Sequence, residues 1–144
     1  MEYIVLDPTT GPHTAHTNDR IARFLEDHLD RFGDRKQDIL KCLAYVFDER
    51  RGGFVVIAVE GDAILGAVVV NETGMGGYIP ENILVYIAVD RKQRGRGLGK
   101  GLMMAAMEKA TGAIALHVEP DNPAKKLYEA LGFTNKYLEM RLHR

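Results

Sequence analysis

The segment of this chain whose residue types could do chemistry runs Val89-Asp90-Arg91-Lys92-Gln93-Arg94-Gly95-Arg96-Gly97-Leu98-Gly99-Lys100-Gly101. A β-rich stretch leads into it and a helical pattern follows. Glycines let a backbone approach a ligand closely, and the free N–H groups and dipole of a helix start favour an anion. Arg91, Lys92, Arg94, Arg96 and Lys100 add positive charge around the same point. The constellation suits a phosphate. It is not a GxxxxGK[ST] loop, because Gly101 follows Lys100 where a Ser or Thr is required. Nor do Gly95, Gly97, Gly99 and Gly101 give the GxGxxG spacing of a dinucleotide site.

Other reactive residue types read more quietly. Tyr128 falls on an apolar helical stripe with Ala124, Leu127 and Leu131, and by pattern alone it is a core aromatic. Cys42, between Leu40 and Leu43, reads as packing rather than as a nucleophile. His13 and His16 have no third metal-ligand type near them and read as a solvated loop, so no metal site is expected. Met103, Met104 and Met107 are expected to fill a core or an interface.

The elements that must hold the loop follow from periodicity. Residues 3–6 predict a short strand and residues 8–17 a loop. Asn18 is placed as the cap of a helix whose apolar positions Ile21, Phe24, Leu25, His28, Leu29 and Phe32 recur until Gly33. Asp34 and Gln37 have capping-box spacing for a second helix, striped by Ile39, Leu40, Leu43, Val46 and Phe47. Residues 54–59 and 63–70 are dense in Val and Ile around Glu60-Gly61-Asp62, which predicts a hairpin covered on both faces. Residues 71–80 form a connection and 83–89 another strand. A helix over 97–110 carries Leu98, Leu102, Met103 and Ala106 on one side. A strand over 113–118 is followed by a helix over 123–131, capped by Asp121 or Asn122, and a final strand over 137–142. The expected order is β-α-α-β-β-β-α-β-α-β, an α/β (α+β) fold with one mixed sheet flanked by helices, in a single domain over residues 1–144.

Composition bounds the function. With 144 residues, 46% apolar and 27% charged, the chain has globular proportions. Nineteen Lys and Arg against twenty Asp and Glu leave a net charge of −1, so no global field draws nucleic acid or an anionic membrane. A single cysteine permits no internal disulfide, and neither a basic leader nor eighteen consecutive apolar residues occur. A cytoplasmic location is expected.

Two segments together resemble the GNAT superfamily of N-acetyltransferases. The family's acetyl-CoA loop, Arg/Gln-x-x-Gly-x-Gly/Ala, is matched by Arg94, Gly97 and Gly99. Its second signature is matched by Asn122, Ala124, Leu127, Tyr128, Gly132 and Phe133. The close match covers residues 83–133, and the element order agrees over nearly the whole chain. Asn122 stands two residues before Ala124 and six before Tyr128, one fewer in each case than in most members, so Asp121 or Asn122 takes that position.

The resemblance implies a mostly antiparallel sheet and acetyl-CoA as cosubstrate, bound by Gly95, Arg96, Leu98 and Lys100 besides the matched residues. It implies that the pantetheine arm lies along Ile87, Ala88 and Val89 like an added strand, and that Tyr128 is the general acid for the departing thiolate. The acceptor would be a primary amine of a small molecule or peptide, and family habit leaves room for a homodimer. The general base is less defined. The strand before the loop lacks the carboxylate many members carry, with Glu81 just outside it. His117 stands where some relatives have a glutamate, and an imidazole can relay a proton at neutral pH. Glu119 or a water chain are further options. A module that binds acyl-CoA without catalysis is the alternative.

Overall fold

A computed structural model describes residues 1–144. Its sheet runs in the order β1 (Glu2–Leu6), β2 (Gly53–Glu60), β3 (Ala63–Glu72), β4 (Asn82–Val89), β5 (Ile114–Leu116). All neighbours are antiparallel except β4 and β5, which run parallel around an intervening helix. Helices α1 (Asn18–His28) and α2 (Lys36–Phe47) cover one face. Helices α3 (Leu98–Lys109) and α4 (Ala124–Ala130) cover the other. No helix is long and apolar enough to cross a membrane.

The central strands are apolar at consecutive positions because both faces are covered. Val55, Ile57 and Val59 of β2 pack towards α1 and α2, among Ile21, Leu25, Ile39 and Leu43. The alternate residues Phe54, Val56 and Ala58 pack towards α3, among Leu98, Leu102 and Met103. Each fully buried side chain of this size contributes roughly 1.5–3 kcal/mol. Cys42 sits half-buried at the α2 face, its Sγ–H donating to Asn71 Oδ1 at 3.5 Å.

One irregularity decides how β4 is presented. Val69 pairs with Tyr86 but Val70 pairs with Leu84, so Val85 is an extra residue, a bulge. Leu84 and Tyr86, two apart, would share a face in a regular strand. Instead Leu84 faces α3, while Tyr86 and Ala88 face α1 and α2. Next to it, Asn82 is buried and its Nδ2 donates to the carbonyls of Thr111 and Ala113 at 2.7 and 3.2 Å. These bonds pin the start of β5 to the start of β4.

Several expected boundaries move. Thr17, not Asn18, caps α1, its hydroxyl accepting the Arg20 N–H at 3.2 Å. The helix ends at His28 rather than at Gly33, because Asp30 takes a left-handed conformation (φ 56°) and a single 3₁₀ turn follows at Asp30–Phe32. Asp34 does not cap α2: Arg35 occupies the cap position without a side-chain bond, and Asp34 is engaged elsewhere. His16, expected in a solvated loop, is only 5% exposed, its ring 5.0 Å from that of His13. The strand expected over 137–142 is not formed. Leu138, Met140 and Leu142 alternate as a strand should, yet they are exposed. A β5 of only three residues offers few hydrogen bonds to offset the entropy of ordering another strand.

Two glycines test the packing of α3. A Cβ on Gly66 would lie 2.8 Å from Leu102 Cδ1 and 3.3 Å from the Ala88 carbonyl oxygen, and Leu102 is fully buried. One on Gly101 would meet only the hydroxyl end of Tyr3, a side chain exposed enough to swing away. Gly66→Ala should therefore cost about 1–3 kcal/mol in urea unfolding. Gly101→Ala should be neutral or stabilise by up to about 1 kcal/mol, since alanine is the better helix former.

Candidate active site

Past Leu84, β4 continues to Val89 with no strand on its outer side, because β5 pairs only with Asn82, Ile83 and Leu84. A cavity of about 460 Å³ lies around this free edge and reaches both faces of the sheet. On the α1 face, His28, Leu29, Asp30 and Phe32 line it with Ala88. On the other face the walls are Ile87 and Val89 with Leu98, Leu127 and Tyr128.

At one end the backbone turns through Gly95 and Gly97, both at φ 81°, a left-handed conformation that glycine adopts without strain. Gly97 precedes α3 with no side-chain cap. The N–H of Gly101 donates to the Gly97 carbonyl at 2.9 Å, whereas those of Leu98, Gly99 and Lys100 have no acceptor in the chain. With the helix dipole, these free donors make an anion cradle. Gly99 also lets α4 close in: its missing Cβ would lie 3.6 Å from Leu127 Cδ2.

The arginines of the loop are partly spent on structure. Arg94 Nη2 donates to the His28 carbonyl at 2.8 Å, and its Nη1 lies 3.4 Å from Asp30 Oδ2. Arg91 Nε donates to Asp30 Oδ1 at 2.8 Å, and the same guanidinium donates to the carbonyl of Asp27. The Arg91 hydrogen bond, reinforced by Arg94, holds the Asp30 carboxyl below the usual carboxylate range. His28 joins the same knot: Nδ1 accepts the Arg91 N–H at 3.3 Å and Nε2 lies 3.7 Å from Asp90. Arg96 donates to Gln93. The segment after α1 is thus tied to the phosphate-type loop, and an Arg31–Asp121 ion pair links it to the approach to α4.

Tyr128, on α4, is 7% exposed, and burial pushes its phenol up to about 12. Its hydroxyl makes no hydrogen bond within the chain. Asn122 Oδ1 accepts the Ala124 N–H at 3.0 Å and caps the start of α4. Asn122 lines the cavity and Asp121 does not.

The structure therefore gathers Ile87, Ala88, Val89, Arg94, Gly95, Gly97, Leu98, Gly99, Asn122 and Tyr128 around one space. Arg96 and Lys100 belong to the same loop without forming its wall. The side chains offered for proton abstraction, Glu81, His117 and Glu119, are not brought to it. His117 is exposed just beyond the end of β5. Glu81 stands at the opposite end of β4, about 20 Å along the strand from Ile87 at about 3.3 Å per residue, where its carboxylate accepts the Ala113 N–H at 3.1 Å. A second cavity of about 520 Å³ lies there, lined by Asp7, Glu72 and Glu81 as well as Lys109, and that acidic lining is poorly suited to a phosphate. The wall formed by His28, Asp30 and Phe32 was not legible in sequence. Those residues lie some sixty positions upstream of the loop they meet, and nothing in their own pattern names the partner.

Compared with known proteins, residues 15–133 match the acetyltransferase (GNAT) family. Among solved structures, the chain is similar to an integron cassette protein from the mobile metagenome of V. cholerae, with 25% identity, TM-score 0.63, and 97% of this chain and 91% of that chain covered. It shares a fold with aminoglycoside N-acetyltransferase AAC(6')-Iy in complex with CoA, at 18% identity, TM-score 0.70, and 99% and 93% covered. It also shares a fold with ribosomal-protein-alanine N-acetyltransferase from Brucella melitensis biovar Abortus 2308, at 17% identity, TM-score 0.63, and 99% of each chain covered.

The Tyr128 phenol carries a consequence for stability at high pH. In the unfolded chain it ionises near 10, in the folded chain near 12. Its contribution is complete below pH 10, and between about pH 10 and 12 the unfolded state holds fewer protons, so stability falls as pH rises. The loss should approach about 3 kcal/mol at ~1.4 kcal/mol per pH unit. Urea unfolding across that range should show it, and Tyr128→Phe should lessen the decline, leaving the part owed to Tyr86, whose phenol burial also raises.

Proposed function

The chain belongs to the acetyltransferase (GNAT) family, and we propose that it transfers acetyl from acetyl-CoA directly to a primary amine of a small molecule or peptide. One observation carries this reading: a single cavity joins a free strand edge, an uncapped glycine-rich helix start and a buried tyrosine whose hydroxyl is unengaged. Those features fit the cosubstrate the family uses. The free N–H groups of Leu98, Gly99 and Lys100, with the backbone of Gly95, Arg96 and Gly97, would hold the pyrophosphate. The open side of Ile87, Ala88 and Val89 offers backbone groups to an extended amide-bearing arm, as a sheet edge does to a strand. Asn122 and Arg94 border the same path.

Acetyl-CoA supplies the thioester when bound. The chain's own part is to orient it against β4, to exclude water with the walls from α1 and α4, and to manage protons. Tyr128 suits the donor role, because its burial keeps the phenol protonated throughout the neutral range. We take residues 1–144 as one transferase domain and, on the single-cysteine argument, place it in the cytoplasm.

Acetyl-CoA should raise the melting temperature by several degrees at saturation, and free thiol should appear with particular members of an amine and peptide panel. Tyr128→Phe should lower kcat about 10- to 100-fold and keep the acetyl-CoA stabilisation. Stabilisation with no thiol release on any amine would instead favour an acyl-CoA-binding module. No stabilisation at all would remove the phosphate-loop reading.

A further inference from the structure

Glu81, His117 and Glu119 all stand off the cavity wall, which leaves the proton acceptor for the proposed transfer to be found on another element. We infer that Asp34 is that general base, held by the hydroxyl of Tyr86 beside the open edge of β4; the inference rests on the transfer reading above. Tyr86 Oη donates to Asp34 Oδ2 at 2.6 Å across 52 residues of sequence. Tyr86 is buried on the α1 face of β4, the same face as Ala88, which lines the cavity. Two residues along a strand separate them by about 6.6 Å. Tyr86 and Asp34 are not themselves wall residues; Asp34 follows the wall residue Phe32 by two positions, so the pair borders the cavity on its α1 side, where an incoming amine would pass. The bulge at Val85 makes this possible, because it turns Tyr86 towards α1 and α2 while Leu84 faces the opposite core. The carboxylate that β4 lacks in its own sequence is therefore supplied to it by the connection between α1 and α2.

The titratable groups of the cavity wall on this face, and those around Tyr86 besides Asp34, are committed. Asp30, the carboxylate on the cavity wall, is bound by Arg91 and Arg94. His28 has Nδ1 filled by the Arg91 N–H and Nε2 turned to Asp90. Asp38 faces Lys41 at 3.5 Å. Burial pushes the Cys42 thiol up to about 11, so it is no base at neutral pH. Asp34 is exposed and takes its only side-chain hydrogen bond from Tyr86. Burial and the neighbouring Asp34 raise the Tyr86 phenol well above its ordinary value, so that hydroxyl remains a donor at any working pH.

The proton balance then closes. Asp34 takes one proton from the substrate ammonium. The freed nitrogen pair forms the C–N bond as the C–S bond breaks, leaving its pair on sulfur, which takes the Tyr128 proton. The second nitrogen proton, shed as the amide forms, returns through solvent to Tyr128, and Asp34 releases its proton to bulk. The acid and the base stand on opposite faces of β4, so the amine arrives on the α1 face and the thiol departs on the α4 face.

The test uses the amine on which the wild-type chain releases thiol fastest. Asp34→Asn retains an acceptor for Tyr86 and should lower kcat about 100-fold or more. Its melting-temperature shift with acetyl-CoA, read without turnover, should match wild type. Asp34→Ala should regain activity when formate is added, since a small carboxylate can fill the space. Tyr86→Phe, a positioning variant, should lose about 10-fold in kcat with the acetyl-CoA shift intact. Thiol release by Asp34→Asn within about threefold of wild type, or loss in Asp34→Ala that formate does not restore, would overturn this assignment alone. Absence of release by wild type on every amine would overturn the transfer reading, and this one with it.

Discussion

Backbone donors and acceptors along a sheet edge must find partners, and a fold normally covers or blunts such an edge. Here the edge of β4 past Leu84 is bounded instead by walls that stand off from it. Asn82 fixes β5 against the first three residues of β4, and the chain then leaves for α4. Every feature of the cavity follows from that early parting. A longer β5 would fill the space that Tyr128, Leu127 and Leu29 now enclose.

Holding such a space open requires rigid walls, and the charged residues of the glycine-rich loop serve this purpose. Arg91 and Arg94 read in sequence as charge for a phosphate. In the structure they bind Asp30 and the terminal carbonyls of α1, where a helix dipole favours cations. What remains for an anion is mostly backbone: the uncapped N–H groups of α3, with Lys92 and Lys100 nearby. The division is economical in charge. A net charge of −1 is compatible with a local anion cradle because the cradle is made of dipoles.

The sequence was legible where pattern is local. The two-faced burial of β2 and β3, the element order as far as α4, and the strand–loop–helix around Gly97 all follow from period and composition, and the structure has them. It was misleading where a local signal had a distant competitor. Asp34 and Gln37 have capping-box spacing, but the Tyr86 hydroxyl takes the Asp34 carboxylate and Arg35 sits at the cap. The alternation of Leu138, Met140 and Leu142 states a preference for pairing, and the three-residue β5 leaves it unanswered. The bulge at Val85 has no local mark at all, since Leu, Val, Tyr and Ile are equally good strand formers. Yet the bulge decides which core each of them enters.

The lone thiol of the chain has a practical bearing. Cys42 is half-buried, bonded to Asn71 and displaced to about 11, so at pH 8 only about one molecule in a thousand carries it as the reactive thiolate. Reagents that count sulfhydryls by disulfide exchange will meet a protein that is almost silent while folded. The same reagents will register it in full once the chain unfolds, so one colour reaction can report both released coenzyme and lost structure.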